Sequence, residues 1–98
     1  MSRSVVFRRV AKLELDDAIS WYDEREEGLG HRFRLAISQQ LERVAESPDQ
    51  FAYIREPVSR AVLRRFPYSI YFLSETDRVV VLAIFHVKRS PQRLEGRC

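Results

Sequence analysis

A chain of 98 residues with 45% hydrophobic and 11% aromatic side chains holds one small domain, residues 1–98, because a domain of this size buries roughly 60–65% of its unfolded surface and leaves nothing for a second core. The single cysteine, Cys98, excludes a disulfide framework and a cysteine-rich metal site, and the longest apolar run, Val79 to Phe85, falls far short of the roughly 20 residues of a membrane-spanning helix. The formal charge of +3 is uneven, with eight Lys/Arg against nine Asp/Glu in residues 1–48 and nine against five in residues 49–98, so a basic second half is expected to attract an acidic partner. No apolar leader is legible in Met1 to Arg9, and with a lone thiol the expected compartment is the reducing cytoplasm.

Val5, Val6 and Phe7 form a short β-branched and aromatic run that reads as an edge or pairing strand. From Leu13 the period changes: Leu15, Ala18, Ile19 and Tyr22 share one helical stripe, and Glu14, Asp16 and Asp17 stand where they would favour the positive end of a helix running to Glu27. Gly28 and Gly30 supply permissive backbone for a tight connection. Phe33, Ala36, Ile37, Gln40, Leu41 and Val44 form a second stripe, which Ser47-Pro48 stops because the residue before proline resists the α region. Ala61 to Phe66, Tyr68 to Leu73 and Val79 to His86 are β-rich runs, the last two joined by the turn residues 74–77. The expected fold is therefore α+β, in the order β-α-α-β-β-β, an N-terminal strand and an antiparallel two-helix hairpin packed on a small, mainly antiparallel sheet. VVVLAIF is apolar on both faces, as in a central strand covered on two sides. One face takes the helices, and a protein partner or a dimer contact is expected on the other.

These elements carry AISWYDE, ESPDQF, LRRFPYSIYF and AIFHVKRSP in that order between Ala11 and Arg93, and the set resembles the RelE/ParE superfamily of bacterial type II toxins. The resemblance implies a toxin of a toxin–antitoxin (plasmid stabilisation) module. Its partner would be a cognate antitoxin of the ParD or RelB kind, encoded beside it and held in a hetero-oligomer. One branch of the superfamily cuts messenger RNA on the ribosome. The other arrests growth by poisoning DNA gyrase, without known catalysis of its own. Against the RNA-cutting branch, Arg60 falls where a strand lysine stands and Arg89 on a late arginine, with His86 available for proton transfer. Ser69 and Val62 replace expected basic residues, however, and Leu94 and Glu95 lie where a C-terminal tyrosine is expected. The resemblance thus favours the gyrase-directed, ParE-like branch, with ribosome-dependent cleavage through Arg60, His86 and Arg89 as one alternative and a non-toxic partner- or nucleic-acid-binding member of the fold as another.

Arg60, Arg64, Arg65, His86, Lys88, Arg89 and Arg93 are the candidates for a target-binding basic patch, since the strands that carry them are expected to be neighbours and guanidinium forks suit phosphates and carboxylates. Trp21, Tyr22, Phe33 and Ile37 are candidates for an antitoxin-binding groove, although they also suit the hairpin's own core. The acidic cluster Asp23, Glu24, Glu26 and Glu27 lacks metal-ligand spacing and reads as a solvated helix end, so neither a metal nor a cofactor is expected.

Overall fold

The computed structural model describes residues 2–89, 91–94, 96 and 97, with Pro91 and Arg93 described in their backbone only. The chain runs through strand β1 (Ser4–Phe7), helices α1 (Arg9–Arg25) and α2 (Leu29–Glu46), a 3-10 turn (Pro48–Gln50), strands β2 (Tyr53–Arg55), β3 (Val58–Val62), β4 (Tyr68–Ser74) and β5 (Arg78–His86), and a second 3-10 turn (Pro91–Leu94). The five strands form one sheet in the order β1-β5-β4-β3-β2, in which β1 runs parallel to β5 and the other pairs are antiparallel.

Helix α1 starts at Arg9, four residues before Leu13. The Arg8 N–H donates to Val81 O at 2.9 Å, completing the strand ladder, while the Arg8 carbonyl already accepts the Lys12 N–H at 3.1 Å. Strand passes directly into helix at this residue. Glu14, Asp16 and Asp17 consequently lie beyond the first turn, which contains no acidic residue, so the expected interaction with the positive helix end is not made. Gly28 caps α2 at φ 84°, a left-handed conformation that glycine adopts without a side-chain penalty. Gly30 serves a different purpose, because a Cβ there would stand 2.5 Å from the Ile19 carbonyl and 2.6 Å from Asp23 Cγ. Its N–H donates to Asp23 Oδ1 at 2.8 Å and draws the two helices together.

Both apolar stripes meet the sheet. Leu15, Ala18 and Tyr22 of α1 and Phe33, Ile37, Leu41 and Val44 of α2 pack with Ala61, Ile70, Phe72, Val79, Val81 and Ile84, and Phe33 is fully enclosed. A side chain of that size contributes about 1.5–3 kcal/mol on burial. Tyr22, Phe33, Phe66 and Tyr68 form an aromatic cluster with ring centroids 5.0–6.0 Å apart.

Three expectations are corrected here. Strand β2 was not foreseen, and β3 covers Val58–Val62 rather than Ala61 to Phe66; residues 63–66 bend instead, with the Leu63 N–H donating to Tyr68 O at 2.9 Å. The second sheet face is not left for a partner. Val58, Tyr71, Val80, Leu82, Ala83, Phe85 and Leu94 make a second buried cluster there, closed by this chain's own C-terminal turn. A bulge accounts for the lack of alternation in β5: Tyr71 pairs with Ala83 and Phe72 with Val81, leaving Leu82 as an extra residue, so Leu82 and Ala83 both turn to this far face.

Candidate functional site

Beyond Phe7, strand β1 no longer covers β5, and the backbone of residues 82–86 would be open on that side. Helix α1 crosses the gap and supplies a carboxylate in place of a strand. Glu14 Oε1 accepts the Ile84 N–H at 3.1 Å, and the Arg97 guanidinium grips both Glu14 oxygens at 3.1 Å while also donating to Leu82 O at 3.1 Å. The Arg97 guanidinium lies 5.0 Å from the Phe85 ring centroid and that of Arg89 5.3 Å, and Arg89 Nη1 is 3.7 Å from Glu14 Oε2. One carboxylate therefore joins α1, β5 and the C-terminal segment. The sequence contained a signal for it, since Glu14 falls at i+3 from Ala11 and i−4 from Ala18, on the buried side of α1.

Beside this junction lies a cleft of about 650 Å³ lined by Glu14, Asp17, Trp21, Tyr22, Pro67, Tyr68, His86 and Arg89. His86 ends β5 opposite Tyr68, its ring 5.4 Å from the Tyr68 ring and edge-on to it. Its Nδ1 accepts the Lys88 N–H at 3.2 Å, so the proton of the neutral ring sits on Nε2 and the imidazole closes the strand end. Burial pushes the phenols of Tyr22 and Tyr68 above the ordinary value of 10.0; Tyr22 is pushed further by Tyr68, while Arg89 pulls Tyr68 partly back. Both phenols are protonated donors at neutral pH and do not act as bases there. Trp21 is exposed at the rim, with its ring edge against Tyr22 at a centroid distance of 5.1 Å and the Arg25 guanidinium 4.2 Å from its ring centroid.

A second cleft, of about 520 Å³, runs along α2. Arg32 and Arg43 of the helix and Arg64 and Arg65 of the β3–β4 bend stand around it, over Leu29, Leu35, Ala36, Leu63 and Phe66. Gln40 fixes its edge by donating to Val62 O at 3.0 Å.

The basic candidates are thus distributed over three places. His86 and Arg89 line the first cleft and Arg64 and Arg65 the second. Arg60 stands opposite Tyr71 in the β3–β4 register, and Tyr71 belongs to the far face. His86 stands opposite Tyr68, which packs on the helix side. Side chains paired across a ladder share a face, so Arg60 and His86 point to opposite faces of the sheet. Lys88 is exposed just past β5, and the side chain of Arg93, like Glu95 and Cys98, lies outside the described residues. Of the residues suggested for an antitoxin groove, Phe33 and Ile37 are core, with 0% and 1% exposure, and offer no surface. Tyr22 reaches the first cleft while mostly buried, and Trp21 alone is open. Among the described residues no cluster of three His, Cys, Asp or Glu could hold a metal ion.

The chain superposes on a chain of the chromosomal ParDE TA system from P. aeruginosa with a TM-score of 0.75 and 20% identity, covering 87% of this chain and 96% of that one. No curated protein matches the sequence. The model of the family described as ParE toxin of type II toxin-antitoxin system, parDE, matches residues 5–91. The chain belongs to the ParE toxin family.

Proposed function

We propose that this family member is held inactive by a cognate antitoxin and, when released in the cytoplasm, arrests growth by binding DNA gyrase rather than by cutting messenger RNA. The observation that supports binding over cleavage is the separation of Arg60 from His86 by the thickness of the sheet. Attack of a ribose 2′-OH on the adjacent phosphate needs a base, a cation on the non-bridging oxygens and a proton donor around one phosphorus atom. The three candidates for those roles do not surround one point. The far face, which carries Arg60, is filled by Tyr71, Leu82, Phe85 and Leu94, and the two phenols of the opposite cleft are held protonated. No helix among the described residues is long and apolar enough to cross a membrane, which is compatible with a cytoplasmic target.

Pulse-labelling of DNA and protein synthesis immediately after inducing the chain, with an antitoxin-coexpressing culture as control, tests this reading. DNA synthesis should fail first. Protein synthesis failing first, with transcripts cleaved at the ribosome, would move the function to the RNA-cutting branch.

A further inference from the structure

The first cleft holds more hydrogen-bonding capacity than the chain itself uses. The Asp17 carboxylate is exposed on it and makes no ion pair or hydrogen bond with another described residue. The hydroxyls of Tyr22 and Tyr68 likewise have no partner among the described residues, and no buried side-chain oxygen among them is unsatisfied, so both hydroxyls reach solvent at the cleft their rings line. His86 keeps its Nε2 proton as a further donor, its Nδ1 being occupied by the Lys88 N–H. Arg97 already holds both Glu14 oxygens at 3.1 Å, so Arg89, 3.7 Å from that carboxylate, leaves an excess positive charge at this end. Trp21, 48% exposed, stands at the other end, and α1 runs about 10 Å from Glu14 to Trp21, at about 1.5 Å of rise per residue.

We propose that this cleft binds a single guanine mononucleotide, with the base beside Trp21 and Asp17 and the phosphate on Arg89. A volume of about 650 Å³ suits a ligand of that size, and the rings of Trp21, Tyr22 and Tyr68 offer aromatic surface to a planar base. Asp17 then selects among the bases. A carboxylate only accepts hydrogen bonds, through two oxygens side by side, and the pairing edge of guanine presents two adjacent donors, N1–H and N2–H. Adenine and cytosine set a ring-nitrogen lone pair beside their amino group, and uracil sets a carbonyl on each side of its N–H, so each of these meets a carboxylate with repulsion. The phenols, protonated at neutral pH, and the His86 Nε2–H supply donors for O6 and N7, the acceptors of guanine. A guanidinium fork suits the phosphate. Arg89 is the only cation among the described lining residues, which fits one terminal phosphate rather than the two that flank a nucleotide inside a strand. The site stands whichever cellular target the toxin acts on, since none of these contacts presupposes gyrase or the ribosome.

The test is titration calorimetry on the purified full chain at about 150 mM salt, where exposed long-range attraction is screened. GMP is the probe, and AMP, CMP, guanosine and a short single strand carrying one internal guanine are the comparisons. GMP should bind at least about tenfold more tightly than AMP or CMP, a good bidentate contact being worth that much discrimination. It should also change the emission of Trp21, the only tryptophan of the chain, which locates the ligand. Asp17→Asn should weaken GMP at least about tenfold and remove its advantage over AMP, because an amide offers one acceptor where the carboxylate offers two. Asp16→Asn removes the same charge one position away, outside the cleft, and should change binding by less than about twofold. Arg89→Ala should weaken GMP and leave guanosine unchanged. Asp16, Asp17 and Arg89 are exposed, so far-UV circular dichroism should show each variant folded. Absence of binding up to about 1 mM GMP, equal affinity for AMP or CMP, unchanged binding in Asp17→Asn, an equal loss in Asp16→Asn, a guanosine affinity equal to that of GMP, or tighter binding of the strand than of GMP would overturn the proposal.

Discussion

The two faces of the sheet are closed by different means. On the helix side, two amphipathic helices bring two stripes of apolar residues onto the strands, and Tyr22, Phe33, Phe66 and Tyr68 interlock as rings. On the far side, a bulge turns Leu82 and Ala83 outward, and a single short C-terminal turn covers them, anchored by Leu94 and by the Arg97 grip on Glu14. The helix side is held by two long helices laid along the strands. The far side has no helix over it: Leu94 closes a cluster whose other members lie within 36 residues of it in sequence, and Arg97 ties this segment to Glu14, 83 residues away. Both faces carry a buried apolar cluster, but the second is the more easily undone.

The largest expected effect is on the helix side. Phe33→Ala should destabilise the domain by about 3–5 kcal/mol, a buried aromatic being replaced by a cavity, measured as a lower urea midpoint at unchanged m-value. A loss below about 1 kcal/mol would mean that the ring cluster can collapse around the gap and that the helix face is not close-packed. Truncation after Lys88 comes next. It removes Leu94 and Arg97 and leaves Tyr71, Leu82 and Phe85 uncovered, so it should cost about 2–4 kcal/mol from lost burial and lost charged hydrogen bonds and should raise binding of a hydrophobic dye. A truncated chain as stable as the full one would show that the C-terminal segment does not close the far face.

Glu14→Ala isolates the anchor from the cover. It leaves the Ile84 N–H and the Arg97 guanidinium without their acceptor, and part-buried groups of this kind cost about 1–3 kcal/mol when unpaired; amide exchange should accelerate at Ile84 first. If Glu14→Ala destabilises the full chain and the truncated chain equally, the carboxylate serves β5 alone and the clasp has no part in closure. Gly30→Ala should cost a comparable 1–3 kcal/mol, roughly the penalty of overpacking, because the new Cβ meets a backbone carbonyl that cannot move without parting the helices.

The smallest effect is on pH dependence. Tyr22 and Tyr68 have folded-state pKa values above their unfolded ones, so the folded state holds its phenolic protons more firmly than the unfolded chain. That contribution is fully present below about pH 10 and is lost as the pH rises through the folded-state values. Tyr22→Phe should flatten the decline in stability on the alkaline side and leave the neutral region unchanged. An altered slope near neutrality would assign the titration to another group.

The helix side was legible because its information is local: period, stripe and the Ser47-Pro48 stop lie within a few residues of one another. The N-terminal strand, both helices and the β4–β5 hairpin follow from it. Strand β2 did not, since Tyr53 and Arg55 are exposed on an element of three residues and Pro57 close behind argues against a strand. The site was less legible than the fold. Whether Arg60 shares a face with His86 depends on the register across β3, β4 and β5 and on the bulge at Leu82, and a one-residue slip reverses the answer. The partnership of Glu14 with Arg97 is set by where β1 ends relative to β5. The four arginines of the second cleft come from two elements that only the folded chain brings together.

The proposed action by binding to gyrase is tested most directly by supercoiling with the purified enzyme in the presence of the purified chain. The predicted result is dose-dependent inhibition of supercoiling, relieved by the cognate antitoxin and retained in His86→Ala, with no cleavage of messenger RNA when the same preparation is added to translating ribosomes. Unaffected supercoiling together with ribosome-dependent cleavage that His86→Ala slows by about 100-fold or more would contradict it.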